Sequence, residues 1–188
     1  IELDASELKF IFDTPSKSQT FKNKKFLHMA AFSKNLEFHE FMWKRFLEVY
    51  SDEKELTRII LSEDNDDDNF LHILVAWSSK EVIELTLTLI KEKFKNHQEI
   101  FKSRGFRNRN LIMRAADRAD NDLENQKLLW NFLLDIFGTS FVDLFLKQTD
   151  LQGDNLIHIV VAYSSKEVFE FVIDFIENRL EMTELQLY

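Results

Sequence analysis

The sequence predicts an all-α chain, an α-solenoid of about four helical repeats arranged as two tandem two-repeat blocks. Three observations lead there: an internal repeat, helical spacing of apolar residues within each copy, and a scarcity of turn formers. Gly (3) and Pro (1) together account for 4 of 188 residues, about a sixth of the ordinary usage of roughly 12%. An all-β sandwich or barrel needs a turn every ~10 residues and is excluded on that count.

The repeat is direct. FLHILVAWSSKEV (70–82) and LIHIVVAYSSKEV (156–168) share nine of thirteen residues, the mark of a repeat protein. Weaker copies are KFLHMAAFS (25–33) and NLIMRAADR (110–118). Aligned on the histidine, the anchors are His28, His72, Met113 and His158, spaced by 44, 41 and 45 residues. A second period lies above the first: anchors 28 and 113 are 85 apart, and 72 and 158 are 86 apart. Trp43, Phe46, Leu47 and Tyr50 recur 87 residues later as Trp130, Leu133, Leu134 and Phe137. Odd units therefore carry a tryptophan helix and even units carry SSKEV. The expected division is 1–12 as the end of a preceding repeat or an N-terminal cap, then repeats at 13–64, 65–104, 105–149 and 150–188.

Each unit reads as helices in a fixed order. LHILVAW is a short apolar helix. SSKEVIELTLTLIKEKF follows, with Val82, Leu85, Leu89, Ile90 and Phe94 at helical spacing. Val168, Phe171, Val172, Phe175 and Ile176 form the matching stripe in the last unit. SSKE is a start signal: a serine hydroxyl can cap free amides, and Glu81 suits the N-terminal dipole. Trp43 and Trp130 fall on the buried stripe of the long helices. A short third piece comes next, as in DEKELTRIILSED (52–64), HQEIFKS (97–103) and TSFVDLFLKQTD (139–150). SELKFIFDTP resembles such a piece ahead of the first unit, and EMTELQLY the start of one after the last. The chain begins with Ile1 and both ends read as cut, so further repeats or another domain are expected on one or both sides.

Composition narrows function. A net charge of −9 argues against broad binding to nucleic acid or anionic membrane. The absence of cysteine removes disulfides, thiolate metal sites and a cysteine nucleophile, and fits an intracellular setting, cytoplasmic first and nuclear second. No apolar run reaches the ~18 residues of a membrane span, so no insertion is expected. There is no GxGxxG, GxxxxGK[ST], GxSxG, HExxH or kinase set, so neither an enzyme nor a cofactor is expected. His28, His72 and His158 share one repeat position. Stacked repeats would hold them ~10 Å apart, too far to share a metal. The acidic run at 64–68 lacks the Gly and Glu of a calcium loop and reads as a solvated turn or a contact for a basic partner.

Asp150-Leu-Gln-Gly153-Asp-Asn155-Leu-Ile157-His158-Ile-Val160-Val161 resembles the ankyrin repeat, whose pattern is Asp-x-x-Gly-x-Thr-Pro-Leu-His-x-Ala-Ala. Asn155 stands in the Thr place and Leu156 in the Pro place. Unit 2 matches with Asp64, Leu71, His72 and Glu81-Val82, with Asp67 in the Gly place. Unit 3 has Asn108 in the Gly place, then Ile112 and Ala115-Ala116. Unit 1 has Asn23, Leu27, His28 and Ala30-Ala31. The Gly place often needs a left-handed backbone, which Asn and Asp tolerate best after Gly. The resemblance runs over about 13–180. Units of 41–45 residues exceed the family's ~33, and the Thr-Pro pair is absent. The resemblance therefore implies a divergent array with lengthened outer helices.

The resemblance implies a scaffold for protein–protein binding, with a partner protein held by a concave face and loop tips. It places Trp77 and Tyr163 at the concave end of the first helices. Phe32 lies one position earlier in unit 1, and Arg118 takes the Trp77 place in unit 3. Aromatic residues and Arg are the usual anchors of interfaces. The loops alternate in sign: Lys22, Lys24 and Lys25, then Asp64, Asp66, Asp67 and Asp68, then Arg104, Arg107 and Arg109, then Asp150 and Asp154. Side by side, they either steady the loop edge or select a partner and its register. The expected contact set is Phe21, Lys22, Lys24, Phe32, Asp66, Asp68, Trp77, Arg107, Arg109, Arg118, Asp154 and Tyr163. Reversing Arg107 and Arg109 together is expected to weaken binding without unfolding the chain. Two further readings stand beside this one. The segment could be the recognition part of a larger effector, toxin or channel, or a structural spacer or homodimerising module.

Overall fold

The computed structural model describes residues 4–17, 24–117 and 122–179. Among them the chain is all-helical, with eleven α-helices and no strand beyond two isolated bridges, Gly105 with Arg109 and Thr149 with Asn155. Helix α1 (Ala5–Asp13) starts on a reciprocal cap: Asp4 accepts from the Ser6 and Glu7 amides, and Glu7 accepts from the Asp4 amide at 2.9 Å. Its Phe12 turns inward, 4.8 Å from the Phe26 ring and 5.7 Å from that of Phe46.

The helices then run in the expected order of short, long and short pieces, grouped by the expected units. The first is α2 (Phe26–Ala30), α3 (Leu36–Val49) and α4 (Glu53–Ile60). The second is α5 (Phe70–Trp77), α6 (Lys80–Lys93) and α7 (His97–Phe101). The third is α8 (Leu111–Ala116) and α9 (Leu123–Phe137), with a 3₁₀ turn at Gly138–Ser140 and a π-helical turn at Val142–Leu146 in place of a third α-helix. The fourth is α10 (Leu156–Tyr163) and α11 (Lys166–Asp174), running into a π-helical turn at Phe175–Arg179. The start points are chemical: Asn69, Asn110 and Asn155 each accept backbone amides at the head of a first helix, and Asn35 and Asp122 do so for long helices. These short side chains satisfy amides that the helix itself leaves open.

The first helices pack in chain order, α2 on α5, α5 on α8 and α8 on α10. The long helices form a second row, α3 on α6, α6 on α9 and α9 on α11. Ion pairs tie neighbouring long helices together within the second row. Lys80 pairs with Glu124 at 3.1 Å and Lys91 with Asp135 at 2.6 Å. The core runs through both rows, with Trp43 2% exposed and Trp130 fully buried. The Trp43 indole N–H reaches across to Thr86 Oγ1 at 3.2 Å, and that of Trp130 to Gln126 Oε1 at 3.1 Å.

The SSKE signal behaves differently from the expectation. Only in α11 does the serine cap form, Ser165 Oγ accepting from the Val168 amide at 3.4 Å. At the start of α6 the Ser79 side chain makes no cap hydrogen bond. The first serine of each pair ties units together: Ser78 Oγ donates to the Ser33 carbonyl at 2.7 Å and Ser164 Oγ to the Ala116 carbonyl at 3.0 Å.

Thr86→Val keeps the side-chain volume but strands the Trp43 indole N–H inside the core. An unsatisfied buried donor costs roughly 1–3 kcal/mol. The urea midpoint should fall accordingly, with an unchanged m-value.

Candidate functional site

The candidate surface is the loop edge together with the ends of the first helices. The loops share one turn. The Asp64 amide donates to the Asp68 carbonyl, Gly105 to Arg109 and Asp150 to Asp154, each at 2.9 Å. The fourth residue of each turn is left-handed: Asp67 at φ 61°, Asn108 at 63° and Gly153 at 83°. These are the three Gly places read from the sequence; the fourth, Asn23, lies outside the described residues. Asp64 Oδ1 closes its own turn by accepting from the Asp66 and Asp68 amides at 2.8 and 3.2 Å. Asp150 Oδ1 does the same with Gln152 and Asp154 at 2.8 and 3.1 Å.

Unit 3 has Gly105 at that place, and the neighbouring loop supplies the acceptor: Asp68 Oδ1 takes the Phe106 amide at 2.9 Å. A Cβ on Gly105 would sit 2.5 Å from Asp68 Oδ1 and 2.6 Å from His72 Cγ. Sequence reasoning passed over this glycine. The signal was present, since Gly stands here where two other loops have Asp.

The repeat histidines are fasteners. His28 Nδ1 accepts from the Lys25 amide at 3.0 Å, and its Nε2–H donates to the Ser62 carbonyl at 2.7 Å. His72 Nε2–H donates to the Ser103 carbonyl at 3.2 Å, while its Nδ1 is buried without a partner. His158, in the last unit, is exposed, its side chain 61% accessible. Burial pushes His28 and His39 below the ordinary imidazole value, and pushes His72 down to about 3. Among the described residues no group of three or more His, Asp or Glu side chains is placed to hold a metal.

The alternating charges meet inside the chain. Lys24 pairs with Asp64 and lies 3.8 Å from Asp66. The same step one block later joins Arg109 to Asp150 at 3.0 Å, with Asp117 on its other side at 2.6 Å. Arg114 holds Asp68 at 2.9 Å. Arg107 reaches Gln152 at 3.1 Å and Arg104 reaches Gln148 at 2.7 Å. Burial drags the Arg109 guanidinium down, but Asp117 and Asp150 outweigh it and hold it above its ordinary value. Burial pushes Asp150 up, and the Gln152 and Asp154 amides with Arg109 bring it below the ordinary carboxylate range. For Asp68, burial wins over Arg114 and the Phe106 amide and leaves it raised.

Asp68 and Arg109 are 2% and 1% exposed. Neither faces solvent, because each is held by the adjacent loop or helix. Reversing Arg109 would set a carboxylate against Asp150 and Asp117, so the expectation that the Arg107/Arg109 reversal spares the fold is replaced. Removing one partner of a buried pair typically costs 3–5 kcal/mol.

Other members of the expected contact set remain at the surface. Trp77 is 40% exposed and Tyr163 43%. Phe32 is half-buried, its ring 5.5 Å from that of Trp77. Lys24 Nζ lies 5.8 Å from the Phe32 centroid, and the Arg109 guanidinium 5.8 Å from that of Tyr163. Asp66 is exposed, while Arg107 and Asp154 are half-buried, Asp154 being 3.7 Å from His158 Nδ1. Phe21, Lys22 and Arg118 lie outside the described residues. Beside Trp77 runs a groove of about 430 Å³, lined by Lys34, Ser79, Lys80, Glu124 and Asn125 among others. Aromatic faces flanked by charge can hold a peptide or protein surface. Among the described residues no helix is long and apolar enough to cross a membrane. Comparison with protein-family models, curated proteins and solved structures finds no match.

Two outcomes test this edge. Gly105→Ala should lower stability by ~1–3 kcal/mol through overpacking, seen as a lower thermal midpoint. Stability should also fall as pH drops from about 6.5. His72 is neutral in the fold and protonates freely once unfolded, so the unfolded state binds more protons between about 6.5 and about 3. Its contribution is complete above that window and is lost within it, approaching ~1.4 kcal/mol per pH unit mid-window. Urea titrations at pH 7 and pH 5 read this directly.

Proposed function

We propose that this chain is a non-catalytic protein–protein interaction module, an ankyrin-like solenoid that binds a partner protein through the first-helix ends and loop tips. Two ordered rows of helices support the architecture, as do three left-handed turn positions at the family's Gly place. The single observation that carries the binding reading is the pair Trp77 and Tyr163. They stand 86 residues apart at one repeat position. Each keeps about two-fifths of its surface in water, at the end of a helix whose opening residue, Phe70 or Leu156, is at most 1% exposed. Large aromatics held on rigid helices are effective anchors, because little side-chain entropy is lost on binding.

The contact set is then centred on Trp77 and Tyr163, with Asp66, Arg107 and Asp154 around them. Lys24 and Phe32 shape the surface from beneath. Asp68 and Arg109 act indirectly, by holding the loops in register.

The test is affinity capture from lysate with the wild-type chain beside a Trp77→Ala/Tyr163→Ala double variant, folding being checked by circular dichroism. A protein retained by the wild type and lost by the variant is the expected result. Equal retention, or no specific protein retained, would overturn the assignment of this face.

A further inference from the structure

The chain carries the two halves of one of its own internal junctions at opposite ends of the stack. We propose that a second copy docks head to tail, its first unit stacking on the fourth unit of its neighbour as unit 3 stacks on unit 2. This rests on the repeat alignment and not on the Trp77–Tyr163 row.

Consider the trailing face. In unit 2, Val75, Ile83 and Leu87 are 3%, 1% and 0% exposed, on helices α5 and α6 that pack against α8 and α9. Their counterparts 86 residues on are Val161, Phe169 and Ile173. Val161 is 65% exposed, and Phe169 and Ile173 are half-buried. The same apolar face is built twice and, among the described residues, is covered once.

The leading face answers it. On α9, which packs against α6 of unit 2, Leu123 and Leu128 are half-buried and packed on the core. The residues 87 positions earlier are Leu36 and Phe41, which are 36% and 60% exposed. Met29, in the place of Arg114, adds a further apolar side chain at 41% exposure.

Charge fits as well. Lys80 bridges to Glu124 at 3.1 Å across the unit 2–unit 3 junction. The equivalents are Lys166 in unit 4 and Glu37 in unit 1. They carry the same signs on the same helices, and Lys166 is 79% exposed. Helix α1 stands on α3 as α7 stands on α9. The new contact continues the α5–α8–α10 row, and being heterologous it need not close.

The experiment is mass measurement by analytical ultracentrifugation over the micromolar to millimolar range. The wild type should grow in average mass with concentration beyond the 22.5 kDa monomer. Val161→Glu blocks the trailing face and Phe41→Glu the leading face; each alone should stay monomeric with unchanged helical circular dichroism. An equimolar mixture of the two should reach twice the monomer mass and stop there, since one intact junction remains. Lys166→Glu and Glu37→Lys give a second pair, each weakening association alone and restoring it when mixed. A wild type that stays monomeric throughout overturns the proposal. So does an oligomer that both single variants leave intact, or a Val161→Glu/Phe41→Glu mixture that stays monomeric. Trp77→Ala should leave association unchanged, so this reading and the partner-binding one fail separately.

Discussion

The first helices are apolar around nearly their whole circumference. In α5, every residue from Phe70 to Val75 is 3% exposed or less, His72 included. A helix of five to eight residues does not persist alone in water, and one that is apolar all round must be covered on more than one side. The inner helices α5 and α8 are therefore held between neighbours in the row, and α2 and α10 by one neighbour each. Burial of this kind is worth about 1.5–3 kcal/mol per large apolar side chain, and it is non-directional. It forces stacking without fixing how far one unit slides against the next.

Register comes from polar atoms. Trp43 to Thr86, Ser78 to the Ser33 carbonyl and Ser164 to the Ala116 carbonyl each cross a unit boundary from a buried or half-buried place. At the loop edge the position that reads Lys24, Asp68, Arg109 and Asp154 alternates in sign. Its first and third members each reach the Asp eight residues ahead of the next histidine. Buried pairs of this sort are weak stabilisers relative to well-packed apolar groups, but they penalise wrong partners strongly. Their clearest effect here is to make adjacent odd and even units fit one way. Several of the alternating loop charges are engaged in holding the loops together, while Asp66 stays exposed and Trp77 and Tyr163 are two-fifths exposed.

The two-block repeat also explains the unequal exposure of equal residues. His72 and His158, or Val75 and Val161, differ little in local sequence. They differ in their described surroundings: α8 and α9 pack on the helices that carry Val75 and its neighbours, while Val161 is 65% exposed. Gly105 shows the converse: with no side chain it lets the third loop approach His72 and Asp68, and its Asp counterparts in loops two and four close their own turns instead.

The sequence by itself determined the helical class, the unit lengths, the order of short and long helices, and the left-handed turn positions. All of these depend on contacts within a dozen residues, which periodicity and turn chemistry record locally. It also located Trp77 and Tyr163, because identical surroundings 86 residues apart made their shared place visible. Only the tertiary structure decided which charges are buried. Asp68 and Arg109 look like any loop charges in one dimension, and their partners Arg114, Asp117 and Asp150 become neighbours once the units stack. The roles of Gly105, Ser78 and Ser164 were settled in the same way. Each acts on a residue some 33 to 48 positions away, a separation across which sequence patterning carries no distance and packing sets it.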